Sequence, residues 1–329
     1  MDHKLRKLFF ETLDQEINSI IDKKTGKVFS KYVKYIPCPI CEDNSSEEHL
    51  FSKNGFEFVR CDSCEIIYTN PQPKTELIED IYKDSKSSEI WRKLQSSKTE
   101  IAWKEDYYKD NITFLKNYIN KPSSLKLLDL GCNNGLFLEY VKTQTNWDFL
   151  GIDLNKKAIK EAKKKGLNVK NCNFSDLNEE FDLITMFGVL EHIPNPLELL
   201  NEIVNHQSGK ESWDLSLIVP NMFSLFHFLL KENSPSIDGR EHIMYFSINS
   251  IYNLLKKAGF TNIKCDTVLT GIGAIKEQLQ WFKYDSRLEQ SLKYIPKKIK
   301  KEIINGNLEK LIKEYDLGLR LRVVASYKN

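Results

Sequence analysis

Four cysteines form two CxxC pairs near the start of the chain, Cys38-Pro-Ile-Cys41 and Cys61-Asp-Ser-Cys64. Each pair places two thiolates on one tight turn, and two such turns supply the four sulfur ligands that tetrahedral zinc prefers. Because four protein ligands leave no open position, the spacing predicts a structural zinc ion. Four free structural thiols and a redox-active iron site are the alternatives. The total of seven cysteines is odd, which argues against a disulfide framework.

A glycine-containing turn is the second candidate for chemistry. An apolar strand ends at Asp129-Leu130, and Gly131-Cys132-Asn133-Asn134-Gly135 then leads into a helix. Such a turn aims backbone groups and a helix N-terminus at the carboxyl end of the strand, where open α/β sheets bind ligands. Glycine permits positive φ and a close approach of the backbone to a ligand. The pattern predicts a nucleotide-type cofactor site at residues 131–135.

Further polar side chains follow the neighbouring strands. Asp153 ends the next strand, at the place where an acidic residue contacts a ribose diol in dinucleotide folds. Phe174 and Asp176 follow the third strand, where an aromatic face and a carboxylate would hold an adenine. Two alternatives are structural: Asp129 caps the turn that follows it, and Asp153 is the N-cap of a helix over 155–165.

The elements that must position these residues alternate between strand and helix from residue 122 onward. The alternation of short apolar strands with helices predicts an α/β fold with a doubly wound, mainly parallel sheet. Strands are predicted at 125–130, 148–153, 167–171, 181–187, 213–219, 261–269 and 319–327, and helices at 136–144, 155–165, 196–206 and 248–258.

Three regions are predicted along the chain. Residues 1–70 contain an N-terminal helix and the zinc-binding knuckle, with a β-hairpin leading into the second cysteine pair. Residues 71–121 form a helical linker or lid. Residues 122–329 form the α/β domain, which carries a helical insertion over 270–318.

Four segments in order and at the right spacing, DLGCNNG, GID, SDL and FDLITMFGVLEHIPNP, resemble the motifs of the class I S-adenosylmethionine (SAM)-dependent methyltransferases. The resemblance covers about 122–269 and the last strand. It implies a Rossmann-like, seven-stranded sheet whose last strand is antiparallel. The opening, CPIC…CDSC…YTNPQP, is similar to a subgroup with an N-terminal zinc-binding domain that acts on sugars or secondary metabolites. Asn133 stands where the family usually has glycine, and asparagine tolerates left-handed backbone well.

The resemblance also implies a set of SAM-binding residues. Gly131, Asn133 and Gly135 bring backbone groups to the methionine moiety, Asp129 anchors the loop or the amino group, and Asp153 accepts the ribose hydroxyls. Asp176 reads the adenine amino group. Tyr82 covers the cofactor's carboxylate or is a buried helix tyrosine. The full expected set is Asp129, Gly131, Cys132, Asn133, Gly135, Asp153, Leu154, Phe174, Asp176, Phe187 and Tyr82.

Catalysis by this family depends chiefly on in-line positioning of donor and acceptor, with a base only where the acceptor must lose a proton. His242 and His192 are the candidate bases, and His242 lies on the acceptor side in the family pattern. Glu191 is a candidate for orienting an imidazole. Alternatively, His192 starts a helix and packs beside the cofactor.

Charge and hydropathy limit which classes of partner the chain is expected to have. The chain has 48 basic and 46 acidic residues, so there is no strong positive field for nucleic acid. No apolar run reaches the ~18 residues of a membrane span, and the N-terminus has no signal-peptide pattern, so a cytoplasmic protein is expected.

The favoured activity is O- or N-methylation of a sugar or related metabolite. RNA methylation and a non-catalytic binding protein are the alternatives, and the oligomeric state stays open.

Overall fold

A computed structural model of the chain describes residues 3–43, 47–95, 98–119, 123–234, 236–268, 312 and 314–329. The helical insertion predicted for 270–318 lies almost entirely outside these residues. The helices are α1 (His3–Ser19), α2 (Thr75–Asp84), α3 (Lys86–Gln95), α4 (Lys98–Tyr118), α5 (Leu136–Gln144), α6 (Lys156–Lys164), α7 (Pro196–His206), α8 (Leu225–Leu230) and α9 (Ile248–Lys257). The strands are β1 (Val33–Lys34), β2 (Glu47–Lys53), β3 (Phe56–Cys61), β4 (Ile67–Thr69), β5 (Gln72–Pro73), β6 (Lys126–Leu130), β7 (Asp148–Ile152), β8 (Val169–Lys170), β9 (Leu183–Phe187), β10 (Ser212–Pro220), β11 (Met244–Tyr245), β12 (Thr261–Val268) and β13 (Arg320–Lys328).

Capping side chains or an N-terminal proline fix the starts of α6, α7 and α9. The side chain of Asn155 accepts hydrogen bonds from the N–H groups of Lys157 and Ala158, which makes it the N-cap of α6. Ser247 and Ser250 form a capping box at α9, and α7 starts with Pro196, whose missing N–H costs nothing there. Across the described ranges, no helix is long and apolar enough to cross a membrane.

The central sheet has seven strands in the order β12-β13-β10-β9-β6-β7-β8. The five strands from β10 to β8 are parallel, and β13 runs antiparallel to both β10 and β12. Leu127 on β6 pairs with Leu183 on β9, and both are fully buried, as expected for a sheet covered by helices on both faces. This is the Rossmann-like sheet that the sequence predicts, with the expected antiparallel last strand.

A second, four-stranded sheet has the order β11-β4-β3-β2. Three of its strands come from the region of the cysteine pairs (residues 36–70, here the cysteine module). The fourth, β11, comes from far along the chain, and Met244 pairs with Tyr68. Cys38 and Cys61 are buried in the same apolar cluster as residues of the central sheet. The cysteine module is therefore packed onto the α/β domain and shares its core.

Candidate active site

The turn between β6 and α5, here called the glycine loop (residues 131–135), is held by a closed set of backbone hydrogen bonds. Gly131 and Cys132 donate to the carbonyl of Ile152 at 2.8 and 3.0 Å, and Gly135 donates to the carbonyl of Cys132 at 2.9 Å. The N–H of Asn133 donates to Asp153 Oδ2 at 2.9 Å, and that of Asn134 to Asn133 Oδ1 at 2.7 Å. All five N–H groups are thus bonded within the protein, and the carbonyls of Cys132, Asn134 and Gly135 also accept protein donors, so the loop offers a ligand mainly its bare Cα surface.

The conformation of the loop requires small or left-handed residues. Gly131 and Gly135 have φ of 80° and 75°, and Asn133 has φ of 50°. A Cβ placed on Gly131 would lie 2.5 Å from Cγ2 of Val189, so any side chain there would clash with Val189, which already packs against the loop. Asn133 keeps the turn that glycine usually makes in the family. This cradle and the carboxylates beside it fit the SAM that the resemblance implies.

Two carboxylates flank the glycine loop. Asp129 is buried, and its Oδ1 accepts a hydrogen bond from Thr185 Oγ1 at 2.8 Å. Burial, reinforced by the charge of Asp153, raises the pKa of Asp129 to about 7. Asp153 Oδ1 accepts from the N–H of Asn155 at 2.7 Å, while Asn155 itself is the N-cap of α6. Asp153 therefore links the loop to the start of α6, and the N-cap role considered for it belongs to Asn155.

Most of the other expected cofactor residues lie at or after the carboxyl ends of β6, β7, β8 and β9, and their environments differ. Leu154 is 62% exposed beside Asp153, whereas Phe174 is buried against the His206 ring at 4.8 Å between centroids. Asp176 is exposed, and its Oδ2 accepts from the N–H of Asn173. Cys132 is buried in the loop itself, and the Phe187 ring lies 4.8 Å from that of Phe137. Tyr82 belongs to α2, but its side chain is outside the described part of the structure.

After β9, a short 3-10 helix over Leu190–His192 brings Glu191 and His192 to the carboxyl end of the sheet. The ring centroids of His192 and His242 lie 4.7 Å apart, and His192 Nε2 lies 4.0 Å from Glu191 Oε1. The three residues predicted as catalytic are therefore brought together, and they are called the Glu-His-His cluster below. Val189, which lies against Gly131, places the cluster next to the glycine loop.

The cluster is held by its backbone neighbours. His192 Nδ1 donates to the carbonyl of Glu241 at 2.8 Å, and His242 Nδ1 donates to the carbonyl of Ser236 at 2.8 Å. Burial lowers the pKa of both imidazoles and raises the pKa of Glu191. Neutral imidazoles whose Nδ1 carries the proton have their lone pair on Nε2, the atom that can accept a proton or bind an ion.

Three residues that border the site, Tyr107, Tyr108 and Arg320, were not singled out from the sequence. Tyr107 and Tyr108 on α4 lie over it: the Tyr108 ring is 5.6 Å from that of Phe137, and burial raises the Tyr108 pKa, with Asp129 adding to the effect. A Cβ on Gly188 would lie 3.7 Å from Glu191 Oε1 and 3.9 Å from Arg320 Nη1. The adjacent tyrosines were the only sequence signal, and an arginine in the last strand carries none.

The cysteine pairs come together in the cysteine module. Cys38 and Cys64 sulfurs are 3.4 Å apart, as are those of Cys41 and Cys61, and the four sulfurs lie within 4.8 Å of one another. A tetrahedral zinc ion with Zn–S bonds of about 2.3 Å needs sulfurs about 3.8 Å apart. Each CxxC turn is closed in the same way by the next residue, Glu42 or Glu65, at φ of 63° or 62°. Distances and donor set fit structural zinc.

Comparison with known proteins agrees with this geometry. Residues 101–264 match a family described as "Methyltransferase domain". A tRNA U34 carboxymethyltransferase from Aliarcobacter butzleri is 25% identical over 60% of this chain and 71% of its own length. A ubiquinone biosynthesis O-methyltransferase from Leptothrix cholodnii is 24% identical over 35% of this chain and 54% of its own. In eight curated relatives, the matched segments span 42% to 71% of the relative's length.

Among solved structures, the plantazolicin methyltransferase BpumL in complex with SAH superimposes with a TM-score of 0.50 at 19% identity. The superposition covers 77% of this chain and 94% of that one, and it shows a shared fold. Fold, motif order and family match agree: residues 101–264 belong to the class I SAM-dependent methyltransferases, and the chain joins to them a four-cysteine module of the zinc-binding type.

Proposed function

We propose that the chain transfers the methyl group of SAM to a hydroxyl or amine of a small molecule, with a sugar or related metabolite as the acceptor class. The observation that carries the proposal is the Glu-His-His cluster beside the glycine loop. Glu191 is 1% exposed and the side chain of His192 is 17% exposed, so the candidate base and its partner are themselves largely withdrawn from water. Such a site suits a small acceptor and favours in-line attack.

On the cofactor side, Asp153 and the glycine loop hold SAM. Both oxygens of Asp153 already accept backbone N–H groups, which fixes the carboxylate, and each oxygen keeps a second lone pair for a ribose hydroxyl. Asp129 lies beside the loop and accepts a hydrogen bond from Thr185, and the family resemblance assigns its carboxylate to the loop or to the SAM amino group. These residues bind and orient the donor, and the positively charged sulfonium makes the methyl carbon electrophilic.

On the acceptor side, an oxygen or nitrogen attacks the methyl carbon. The new bond to carbon forms as the carbon–sulfur bond breaks, and its electron pair stays on sulfur to give S-adenosylhomocysteine. The proton of the acceptor goes to an imidazole Nε2, with His242 as the favoured base. Its Nδ1–H bond to Ser236 holds the ring and leaves the lone pair on Nε2, the atom that would accept the proton.

RNA methylation is the second candidate, because relatives named as tRNA U34 carboxymethyltransferases match about 60% of the chain. An RNA base would have to be flipped out of its stack to reach the enclosed cluster. The near balance of 48 basic and 46 acidic residues gives no general attraction for a polyanion. We therefore place the small-molecule acceptor first.

The test is label transfer from methyl-labelled SAM into separate pools of nucleotide sugars, free sugars, small amines and unmodified tRNA. Label in a sugar or amine pool, lost in the Asp153→Ala variant, supports the proposal. Label in tRNA alone supports the second candidate. A chain that does not bind SAM at millimolar concentration in calorimetry would be a non-catalytic binding protein.

A further inference from the structure

Three ligand-type atoms converge in the Glu-His-His cluster. A carboxylate oxygen of Glu191 and one imidazole nitrogen each from His192 and His242 lie within 4.8 Å of one another. Two of them come from the segment after β9, and the third comes from the segment just before β11. Two imidazoles and one carboxylate are a donor set that divalent transition metals bind, with further positions left open for water or substrate.

The imidazoles are oriented as metal-binding histidines usually are. In known sites, the ring nitrogen that does not bind metal donates to a backbone carbonyl or a carboxylate. His192 does this with the carbonyl of Glu241, and His242 with the carbonyl of Ser236, both at 2.8 Å. These bonds leave the proton on Nδ1 and the lone pair on Nε2 in each neutral ring. The outer shell of a metal site is thus already formed.

The carboxylate supplies the second observation. Glu191 is 1% exposed, and its Oε2 is buried without a hydrogen-bond partner among the described residues. Leaving a buried carboxylate oxygen unpaired is costly, and native proteins seldom do so without a functional reason. A bound cation would satisfy that oxygen and neutralise the charge.

We propose that Glu191, His192 and His242 bind one divalent transition-metal ion. The mixed nitrogen and oxygen donors favour zinc, manganese or iron(II) over magnesium and calcium, which prefer oxygen alone. Metal–ligand bonds of about 2.1 Å require ligand atoms about 3–3.5 Å apart, so the three side chains close by about 1 Å around the ion. Among nearby charges, Asp238 favours positive charge at both imidazoles and Arg320 opposes it at His192.

The role of the ion in catalysis rests on the proposed function, whereas the site itself does not. A cation here would bind the acceptor oxygen and lower its pKa, so that the proton leaves to solvent before the oxygen attacks the methyl group of SAM. With metal on both Nε2 atoms, His242 cannot serve as the base. The acceptor proton therefore has two alternative routes, and metal occupancy decides between them.

The experiment is a calorimetric titration of the zinc-loaded chain with Mn²⁺ and, separately, with added Zn²⁺. Manganese is the weakest binder of the first-row series and does not displace zinc from four thiolates. We expect one further ion per chain, with affinity at least ~10-fold lower in Glu191→Gln and His242→Ala. The matched control is His49→Ala, which removes an exposed histidine 2.7 Å from the carboxylate of Glu57 and should change nothing.

Two results would overturn the site: neither ion binds the wild-type chain beyond the zinc of the cysteines, or both ligand variants bind like wild type. The wild-type stoichiometry needs no variant, so misfolding of a variant does not spoil the test. SAM binding measured on the same samples separates the two proposals. Metal binding without SAM binding would reject the proposed function alone, and SAM binding without metal binding would reject the metal site alone.

Discussion

The backbone N–H of Ile243 donates a hydrogen bond of 3.0 Å to the carbonyl of Glu191. The carbonyl of Ile243 in turn accepts a hydrogen bond of 3.1 Å from Thr69, at the end of β4 in the cysteine module. Since Ile243 directly follows His242, one residue connects the module, the segment after β9 and the acceptor-side histidine. The cysteine module is therefore part of the framework that positions the Glu-His-His cluster.

The first prediction concerns this framework. Cys61→Ser should lose one zinc ion per chain by metal analysis, because the remaining three thiolates hold the ion less tightly. SAM affinity should stay within a few-fold, since the glycine loop is bonded to β7 and not to the module. Turnover should fall, because β4 loses support and β11 shifts with it.

The control is Cys172→Ser, which changes a half-buried cysteine outside the two CxxC pairs and should keep full zinc content. Wild-type protein that contains no zinc, or a Cys61→Ser variant with unchanged zinc, would contradict the structural site.

The second prediction concerns the ribose contact. Asp153→Ala should weaken SAM binding by about 1.5–3 kcal/mol, the usual loss for hydrogen bonds to a charged group. Part of that loss comes through Asn133, whose N–H would lose its acceptor. Calorimetric titration with SAM measures the change, and Asp148→Ala, an exposed carboxylate at the other end of β7, is the matched control. An unchanged dissociation constant in Asp153→Ala would remove the assignment.

The third prediction concerns pH and stability. The pKa of Asp129 is raised from 3.8 to about 7 by burial, so its neutral form is favoured in the folded state. Its contribution to stability is therefore fully present below about pH 4 and is lost as pH rises toward 7. The Asp129→Asn variant keeps an acceptor for Thr185 but cannot ionise. Relative to wild type, it should gain on the order of a few kcal/mol between pH 5 and pH 8.

Urea unfolding of both proteins at the two pH values measures this difference, because titration of all other groups largely cancels in the comparison. The neighbours of Asp129 support a raised pKa and therefore a stability that falls as pH rises. Asp153 raises the pKa of Asp129 further, and burial keeps Tyr108 and Cys132 neutral through pH 8. A difference that stays flat with pH would show that Asp129 is ionised in the folded protein throughout this range.

Local patterns predicted much of this molecule. The helix expected at 136–144 is observed as Leu136–Gln144, and the strand expected at 148–153 as Asp148–Ile152. These elements have strong apolar periodicity and clear glycine or strand-end boundaries. The zinc-ligand role of the four cysteines was equally predictable from the sequence, because zinc ligands follow a local spacing rule that needs no knowledge of the fold.

What the sequence did not reveal depends on contacts between distant segments. The pairing of β11 with β4 joins residues about 175 positions apart through only two residues, Met244 and Tyr245, and no local pattern marks such a short strand. The position of Arg320 beside Glu191 follows from the order of strands in the sheet. The alternative that made Asp153 the N-cap of α6 lay two residues early, because Asp153 and Asn155 are both good caps and tertiary contacts select between them.

The last prediction concerns the acceptor side. His242→Ala should lower turnover at least ~100-fold while leaving SAM affinity intact, whether Nε2 takes the acceptor proton or binds an ion that lowers the pKa of the acceptor. His192→Ala should change both the turnover and the SAM affinity. His192 lies three residues after Val189, on the same short segment, and Val189 packs against Gly131 of the cofactor site. Steady-state rates with the acceptor found by label transfer, together with calorimetric SAM titrations, measure both effects. His49→Ala is again the control. Near-normal turnover of His242→Ala from pH 6 to 9 would mean that the acceptor needs neither base nor ion at this position, and that proximity alone carries the reaction.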